Sequence, residues 1–263
     1  MPLPPGTILQ QLYLRERLAR LKRGMFIEIG PGEGYLSALL LGAGWRGVGI
    51  EPDEVSAERA RALNREAVAD GRYDLLHDDW LHPAHPERMP TNVDLILSCM
   101  VLEHLDDSDE LAYFRRCEAQ LGKDGIGILL VPASERAWGI EDVAAGHYRR
   151  YTRQRLRRLF RVAGWRLQHL AGLTYPISNV LLPLSNWLVR REESDKSEMT
   201  MHERTLSSGR RHVPGKTVFP AAAGLILNPI AMYPLHLLQK VFRSSASALV
   251  LYAEGRPPRR EGS

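Results

Sequence analysis

The sequence predicts an α/β protein with a doubly wound, mostly parallel sheet, and three observations lead to this prediction. Short apolar runs alternate with amphipathic segments of helical periodicity over the first two thirds of the chain, which is the pattern of consecutive βαβ units. The runs are apolar at nearly every position, as expected for strands that are covered on both faces. With 263 residues, of which 44% are hydrophobic, the chain can bury a full core as one domain with a large insertion.

The individual strands and helices follow from local patterns. Apolar runs predict seven strands, at 25–30, 46–53, 73–80, the start of 93–105, 125–133, 165–172 and 248–255. Apolar residues at helical spacing predict helices at 8–22, 35–44, 54–71, 108–121 and 152–164. The right-handed crossover between parallel strands then fixes most of the topology.

The region between the last two strands has a different composition. The stretches 170–189 and 217–235 carry no charge and approach the length of a membrane span, but each contains prolines and an asparagine, which favours a hydrophobic cap over the sheet. The polar stretch 191–216 separates them and is predicted to form a mobile lid. The predicted organisation is a core domain at 1–172 and 246–256, an inserted helical cap or lid region at 173–245, and a disordered tail at 257–263.

A glycine turn after the first strand carries the strongest functional pattern. The stretch EIGPGEG places Glu28 before Gly30, Gly32 and Gly34, and such glycines allow a tight turn and a close approach of the backbone to a ligand. The helix that follows offers unpaired N–H groups at its start. Glu51 ends the next strand, where a carboxylate can accept hydrogen bonds from both hydroxyls of a ribose.

This pattern resembles the class I S-adenosylmethionine-dependent methyltransferases. Residues 28–34 match that family's E/D-x-G-x-G-x-G loop, Glu51 matches its ribose-binding acid, and Asp78 or Asp79 its adenine-contacting acid. The stretches 98–104 and 146–152 also resemble segments of small-molecule and lipid methyltransferases. The resemblance implies a Rossmann-like core and S-adenosylmethionine as cofactor. The donor-binding residues that it implies, together with their neighbours in the sequence, are Glu28, Gly30, Pro31, Gly32, Gly34, Tyr35, Glu51, Pro52, Asp78, Asp79, Trp80 and Ser98.

Two histidines, His104 and His147, are the candidate general bases, because imidazole titrates near neutral pH. The pair Glu103-His104 is also similar to a metal-binding pair in ubiquinone-pathway O-methyltransferases, but Met100 stands where their second glutamate would be. A further group of potential ligands at 77–85 has no regular spacing, since prolines interrupt it. We therefore predict no metal ion.

The acceptor is predicted to be a small hydrophobic or lipid-linked molecule, with O-methylation favoured, because basic residues flank the uncharged stretches. One alternative is an NAD(P)-binding oxidoreductase, whose G-x-G-x-x-G pattern would need glycine where Tyr35 stands. A second is a membrane-surface interaction protein that retains the fold. A third is nucleic-acid methylation, suggested by the net charge of +4; the absence of an N-P-P-Y-type tetrapeptide after the fourth strand opposes it.

The cysteine content and the N-terminus bear on localisation. Cys99 and Cys117 have no paired spacing, which indicates a reducing compartment. The first residues lack the pattern of a signal peptide. We expect a cytoplasmic protein, monomeric or homodimeric, without a specific nucleic-acid partner and with peripheral membrane contact as an open alternative.

Overall fold

The computed structural model describes residues 2–192 and 219–258. Seven strands form one sheet in the order β3-β2-β1-β4-β5-β7-β6. The sheet is mostly parallel with one antiparallel hairpin, so the predicted fold class is confirmed. The strands are β1 (Met25–Ile29), β2 (Arg46–Glu51), β3 (Tyr73–His77), β4 (Val93–Cys99), β5 (Leu121–Pro132), β6 (Arg166–Leu173) and β7 (Val250–Arg256).

Each predicted helix corresponds to a helix in the described part of the chain, the one expected at 54–71 to two, and further helices occur after β5. They are α1 (Pro5–Leu18), α2 (Tyr35–Gly42), α3 (Glu54–Leu63), α4 (Arg65–Ala69), α5 (Asp107–Gln120), α6 (Ile140–Ala145), α7 (Arg153–Val162), α8 (Ile177–Glu192) and α9 (Tyr233–Val241). Short 3₁₀ turns occur at Pro86–Arg88, Leu102–His104, Glu135–Ala137 and Ala221–Leu225.

The helix expected at 8–22 spans Pro5–Leu18, and the strand expected at 125–133 spans Leu121–Pro132. Two further predicted elements are interrupted or shortened. The continuous helix expected at 54–71 is interrupted at Asn64, whose side-chain amide donates to the carbonyl oxygens of Gly34 and Ala60. The strand expected at 73–80 ends at His77, because the side chain of Asp78 binds the backbone of the loop that follows. Both differences come from side chains that bind backbone groups and so compete with regular structure.

The chain divides into two compact units. The sheet unit comprises Lys22–Val131, Arg153–Leu170 and Tyr252–Ser263. Its core includes the fully buried Phe26, Ile27 and Leu95, together with the mutually packed rings of Phe114, Phe160 and Trp165.

The helical unit comprises Met1–Leu21, Pro132–Thr152 and Ala171–Leu251. Helix α1 packs against both α8 and α9, and its buried Ile8 and Leu9 form a core cluster with Met232. The described residues of the predicted insertion lie in this unit, and so does α1. The predicted domain boundaries and the predicted cap remain predictions.

Parts of the predicted insertion and tail cannot be compared with the structure. The lid expected at 191–216 lies outside the described residues except for its first two, and residues 259–263 of the expected tail also lie outside them. Within the described part of the chain, no helix is both long enough and apolar enough to cross a membrane.

Candidate functional site

The sheet brings three predicted site segments to one edge. Ile29 of β1 pairs with Ile50 of β2, and Ile50 pairs with Leu76 of β3, so the residues that follow these strands leave the sheet at the same level. Strand β1 lies between β2 and β4, which makes this edge the point where the strand order reverses. In open α/β sheets, ligands bind at the carboxyl ends of the strands at such a point.

The glycine turn holds three residues in a left-handed backbone conformation. The φ angles of Gly30, Gly32 and Gly34 are 64°, 55° and 82°, a region that L side chains adopt at a cost. A Cβ on Gly30 would lie 2.8 Å from the Val101 side chain, whereas a Cβ on Gly32 would meet nothing within 4 Å. The middle of the turn therefore opens onto space that a ligand can occupy, and its two ends are packed against protein.

Substitution of Gly34 by alanine is expected to destabilise the protein more than substitution of Gly32. Both changes place a side chain at positive φ, which costs about 1–2 kcal/mol, but only the Cβ at Gly34 would also lie 2.9 Å from the backbone of Ala60. We expect Gly34→Ala to lower the free energy of unfolding by about 2–4 kcal/mol, measured by urea denaturation. Gly32→Ala is the matched control, and equal losses in the two variants would contradict the assignment.

Glu51 links the turn to the end of β2. Its Oε2 accepts a hydrogen bond from the Gly32 amide at 2.8 Å, and its Oε1 accepts one from the Asp53 amide at 3.1 Å. A carboxylate can accept about four hydrogen bonds, so these two contacts are compatible with acceptance from two ligand hydroxyls. The arrangement fixes the carboxylate beside the open middle of the turn.

Glu28 lies in a buried hydrogen-bonded cluster. The Ser37 hydroxyl donates to its Oε2, and the same hydroxyl lies 2.8 Å from the Tyr73 hydroxyl. Burial raises the pKa of Glu28 to about 7; the Ser37 hydrogen bond opposes this rise, and the nearby Glu51 adds to it. The expected contact of Glu28 with a ligand ammonium group remains a prediction.

The raised pKa of Glu28 has a consequence for stability. The unfolded carboxyl releases its proton near pH 4.5 and the folded one near pH 7, so the folded state binds more protons between these values. Stability should therefore fall as the pH rises through this window, by on the order of 3 kcal/mol. In Glu28→Gln, which keeps an acceptor for Ser37, this fall should disappear from denaturation curves recorded at several pH values. The same slope in variant and wild type would contradict the shift.

The two acids after β3 have different surroundings. Asp78 is buried, and its carboxylate accepts hydrogen bonds from the backbone of Asp79, Ala84 and His85. Partial burial raises its pKa, but these bonds outweigh that effect and hold the pKa below its usual value. Asp79 is exposed and accepts from the amides of Leu81 and His82 at 2.7 Å. Asp78 thus shapes the loop, and Asp79 is the acid that faces solvent.

The remaining predicted donor-binding residues lie around the same edge of the sheet unit. Pro31 is buried within the turn, Tyr35 begins α2 with its side chain partly exposed, and Pro52 is exposed after β2. Trp80 is buried, with its ring 5.3 Å from the Arg116 guanidinium and 6.4 Å from the ring of Tyr113. Ser98 in β4 is buried and accepts a hydrogen bond from the Tyr113 hydroxyl at 2.8 Å.

The first candidate base follows β4. His104 ends the 3₁₀ turn Leu102–His104 and is half-buried, next to the fully buried Glu103. Met100, just before this turn, has a φ of 57°, a strained conformation for a residue other than glycine. Such strain is common at functional sites, so the segment after β4 is a candidate part of the site.

The second candidate base lies in the helical unit. Nδ1 of His147 is 2.9 Å from Oδ1 of Asp142, and the same oxygen accepts from Nε of Arg150 at 2.8 Å. The other oxygen of Asp142 accepts from the Gly139 amide at 2.8 Å and so caps α6. Burial raises the pKa of Asp142, but the bonds from His147 and Arg150 outweigh this and keep it below its usual value. Since an ionised carboxylate only accepts, Nδ1 carries the hydrogen, and the neutral ring has its lone pair on Nε2.

Three residues with a clear role around these sites were missed from the sequence. Asn64 holds the end of the glycine turn through its bond to the Gly34 carbonyl, Val101 packs where a Cβ on Gly30 would lie, and Asp142 orients His147. The role of Asn64 could have been suspected from the sequence, because asparagine inside a helix tends to bind nearby backbone. The roles of Val101 and Asp142 could not, since their partners are known only from the fold.

Comparison with known proteins places the chain in a family. Residues 7–170 match the family described as a methyltransferase domain. The chain therefore belongs to this methyltransferase family, which confirms the family inferred from the glycine turn and disfavours the oxidoreductase alternative. The closer similarity to ubiquinone-pathway enzymes is not confirmed. A comparison with curated protein sequences found no match.

Solved structures show the same fold at low sequence identity. The pyocyanin biosynthetic protein PhzM is 23% identical with a TM-score of 0.50, over 62% of this chain and 52% of that one. The 1,6-didemethyltoxoflavin-N1-methyltransferase of Burkholderia thailandensis is 18% identical with a TM-score of 0.52, over 65% and 73%. The [4+2]-cyclase SpnF is 16% identical with a TM-score of 0.55, over 95% and 81%. The chain spans about half the length of PhzM.

Proposed function

We propose that this chain transfers a methyl group from S-adenosylmethionine to a small hydrophobic acceptor. The observation that supports it most is the pairing of an open glycine turn with a fixed carboxylate: a Cβ on Gly32 would meet nothing within 4 Å, while its amide donates to Glu51 at 2.8 Å. Family membership over residues 7–170 supports the same reading.

The residues around the turn fit the methyl donor. Glu51 would accept from the two ribose hydroxyls, the backbone at Gly32 would lie against the amino-acid part, and the exposed Asp79 would accept from the adenine amino group. When bound, S-adenosylmethionine supplies a methyl group that is already activated by the positive sulfur. The protein's own task is to hold the acceptor in line with that group and to exclude water, which can supply most of the rate enhancement.

A hydroxyl acceptor also requires removal of a proton. The acceptor oxygen would form a bond to the methyl carbon while the carbon–sulfur bond breaks and its electron pair stays on sulfur. The hydroxyl proton would pass to Nε2 of His147, which the Asp142 contact at 2.9 Å equips as an acceptor. His104 is the alternative base.

The acceptor class rests on composition and on similar folds. The uncharged stretches at 170–189 and 217–235 suit a hydrophobic or lipid-linked acceptor, and one structural neighbour is named as a methyltransferase of a small molecule, 1,6-didemethyltoxoflavin. We favour O-methylation, a cytoplasmic location, a monomer or homodimer, and no specific nucleic-acid partner. No metal ion is invoked in this mechanism.

Titration calorimetry with S-adenosylmethionine, S-adenosylhomocysteine and NAD⁺ tests the proposal. We expect both adenosyl compounds to bind with one site per chain and NAD⁺ to give no heat. Binding of NAD⁺ alone, or of none of the three, would contradict the proposed function. Acceptors can then be screened by release of S-adenosylhomocysteine in the presence of hydrophobic phenols, enols and amines.

A further inference from the structure

Helix α9 buries two polar side chains and exposes a stripe of apolar ones. His236 and Gln239 are almost completely buried, whereas Tyr233, Leu237 and Val241 are 47%, 47% and 76% exposed. The three exposed residues recur every fourth position, so they form one stripe along the helix. A surface helix of a globular protein normally buries its apolar residues, whereas α9 packs only Leu235 against the cluster of Ile8, Leu9 and Met232 and leaves this stripe exposed.

Hydrogen bonds to α1 fix that orientation. Nε2 of His236 and Nζ of Lys240 each lie 2.8 Å from the Glu16 carboxylate, and the amide of Gln239 donates to the Leu9 carbonyl at 2.9 Å. Rotating α9 to bury its apolar stripe would break all of these bonds and leave buried polar groups unpaired. The outward apolar stripe is therefore built into the packing of the helical unit.

The segment before α9 also exposes apolar side chains. Leu225, Ile226 and Ile230 are 83%, 71% and 87% exposed. We define the apolar surface as Leu225, Ile226, Ile230, Tyr233, Leu237 and Val241. Single exposed apolar residues are ordinary, but six between residues 225 and 241 are typical of an interaction site.

The charge around the apolar surface favours an anionic partner. Residues 219–253 contain no aspartate or glutamate. Arg243, just after α9, is exposed, whereas Lys240 is paired with Glu16. A neighbouring cavity of about 200 Å³ has mainly apolar walls with the Arg15 side chain among them; it is lined by Pro2, Leu3, Ile8, Gln11, Leu12, Arg15, Leu227, Asn228 and Pro229. An apolar cavity with a guanidinium group fits an acyl chain next to an anionic headgroup.

We propose that the apolar surface docks onto an anionic lipid membrane, with α9 lying in the plane of the interface. An in-plane helix buries its apolar side among the acyl chains while basic residues contact the headgroups. This inference goes beyond methyl transfer and does not depend on it, because every residue that supports it lies in the helical unit and none belongs to the proposed donor site.

Vesicle flotation of the full-length protein tests the inference. We expect binding to mixed phosphatidylcholine–phosphatidylglycerol vesicles and much weaker binding to pure phosphatidylcholine. Leu237→Glu and Ile230→Glu should each lower the partition coefficient by about tenfold or more, given the loss of one buried aliphatic side chain. Arg15→Gln should weaken binding only where phosphatidylglycerol is present. Val162→Glu, at an exposed apolar position of α7 in the sheet unit, is the matched control and should bind like wild type.

Three results would overturn the inference. The first is that the wild type fails to bind mixed vesicles, and the second is that both glutamate variants bind as well as the wild type. The third is a dimer in sedimentation velocity that Leu237→Glu dissociates, because this would assign the surface to a second copy of the chain. Unchanged circular dichroism and unchanged S-adenosylhomocysteine binding in the variants would show that the fold and the donor site are intact, so that a loss of flotation reports on the surface itself.

Discussion

Replacement of Glu51 by alanine is expected to weaken S-adenosylhomocysteine binding by at least about 100-fold, because a charge-assisted hydrogen bond contributes about 1.5–3 kcal/mol and each 1.4 kcal/mol is tenfold in Kd. The carboxylate would accept from two ribose hydroxyls, so two such bonds are lost. The Gly32 amide also loses the acceptor that holds it at 2.8 Å, and the middle of the glycine turn becomes less ordered. Titration calorimetry measures the change directly.

Two further variants make this experiment specific. Glu51→Gln keeps the shape and one side-chain oxygen, so its affinity should lie between those of wild type and Glu51→Ala. Glu54→Ala removes an exposed carboxylate in the first turn of α3, three positions along the chain, and should leave binding unchanged. If Glu51→Ala bound the ligand as tightly as wild type, the glycine turn would have to serve another purpose and the proposed donor site would be wrong.

The fold could be predicted largely because its determinants are local. Each strand is a short apolar run, and each glycine turn marks a boundary that the chain itself specifies. The helix at 54–71 was one exception, since its interruption depends on a bond from Asn64 to Gly34, thirty positions away. Contacts of that kind exist only once the sheet has formed, so no periodicity in a single sequence reveals them.

The glycine turn of the candidate site could be predicted from the sequence, but the roles of several surrounding side chains could not. The glycines and Glu51 follow from the spacing, because the chemistry of a close-lying ligand requires them there. The spacing does not decide whether Asp78 or Asp79 is available to a ligand, because that depends on which carboxylate binds the loop backbone. In the structure Asp78 binds it. A helix at 233–241 was not predicted from the sequence, and the bonds of α9 to Glu16 show which of its side chains face inward.

Removal of the imidazole of His147 is expected to slow methylation of a hydroxyl acceptor by about 10²- to 10⁴-fold in kcat, the usual contribution of a general base. In this proposal Asp142 would act through His147, as a positioning residue, because it accepts the hydrogen on Nδ1 at 2.9 Å and so leaves the lone pair of the neutral ring on Nε2. Asp142→Asn should therefore lower kcat by less than His147→Ala. Donor affinity should change in neither variant, and single-turnover assays measure the chemical step.

The acidity of the acceptor distinguishes a base from a structural residue. An acceptor that is already ionised at the assay pH needs no proton removal, so the loss caused by His147→Ala should largely disappear with it, whereas a misfolded variant would remain slow with every acceptor. Tyr148→Phe changes the exposed neighbour of His147 and serves as the control.

Because Asp142 also holds Arg150 and caps α6, thermal denaturation of Asp142→Asn must accompany its kinetics. Equal losses with ionised and neutral acceptors, or recovery of the rate on addition of a divalent cation, would exclude His147 as the base and direct attention to His104.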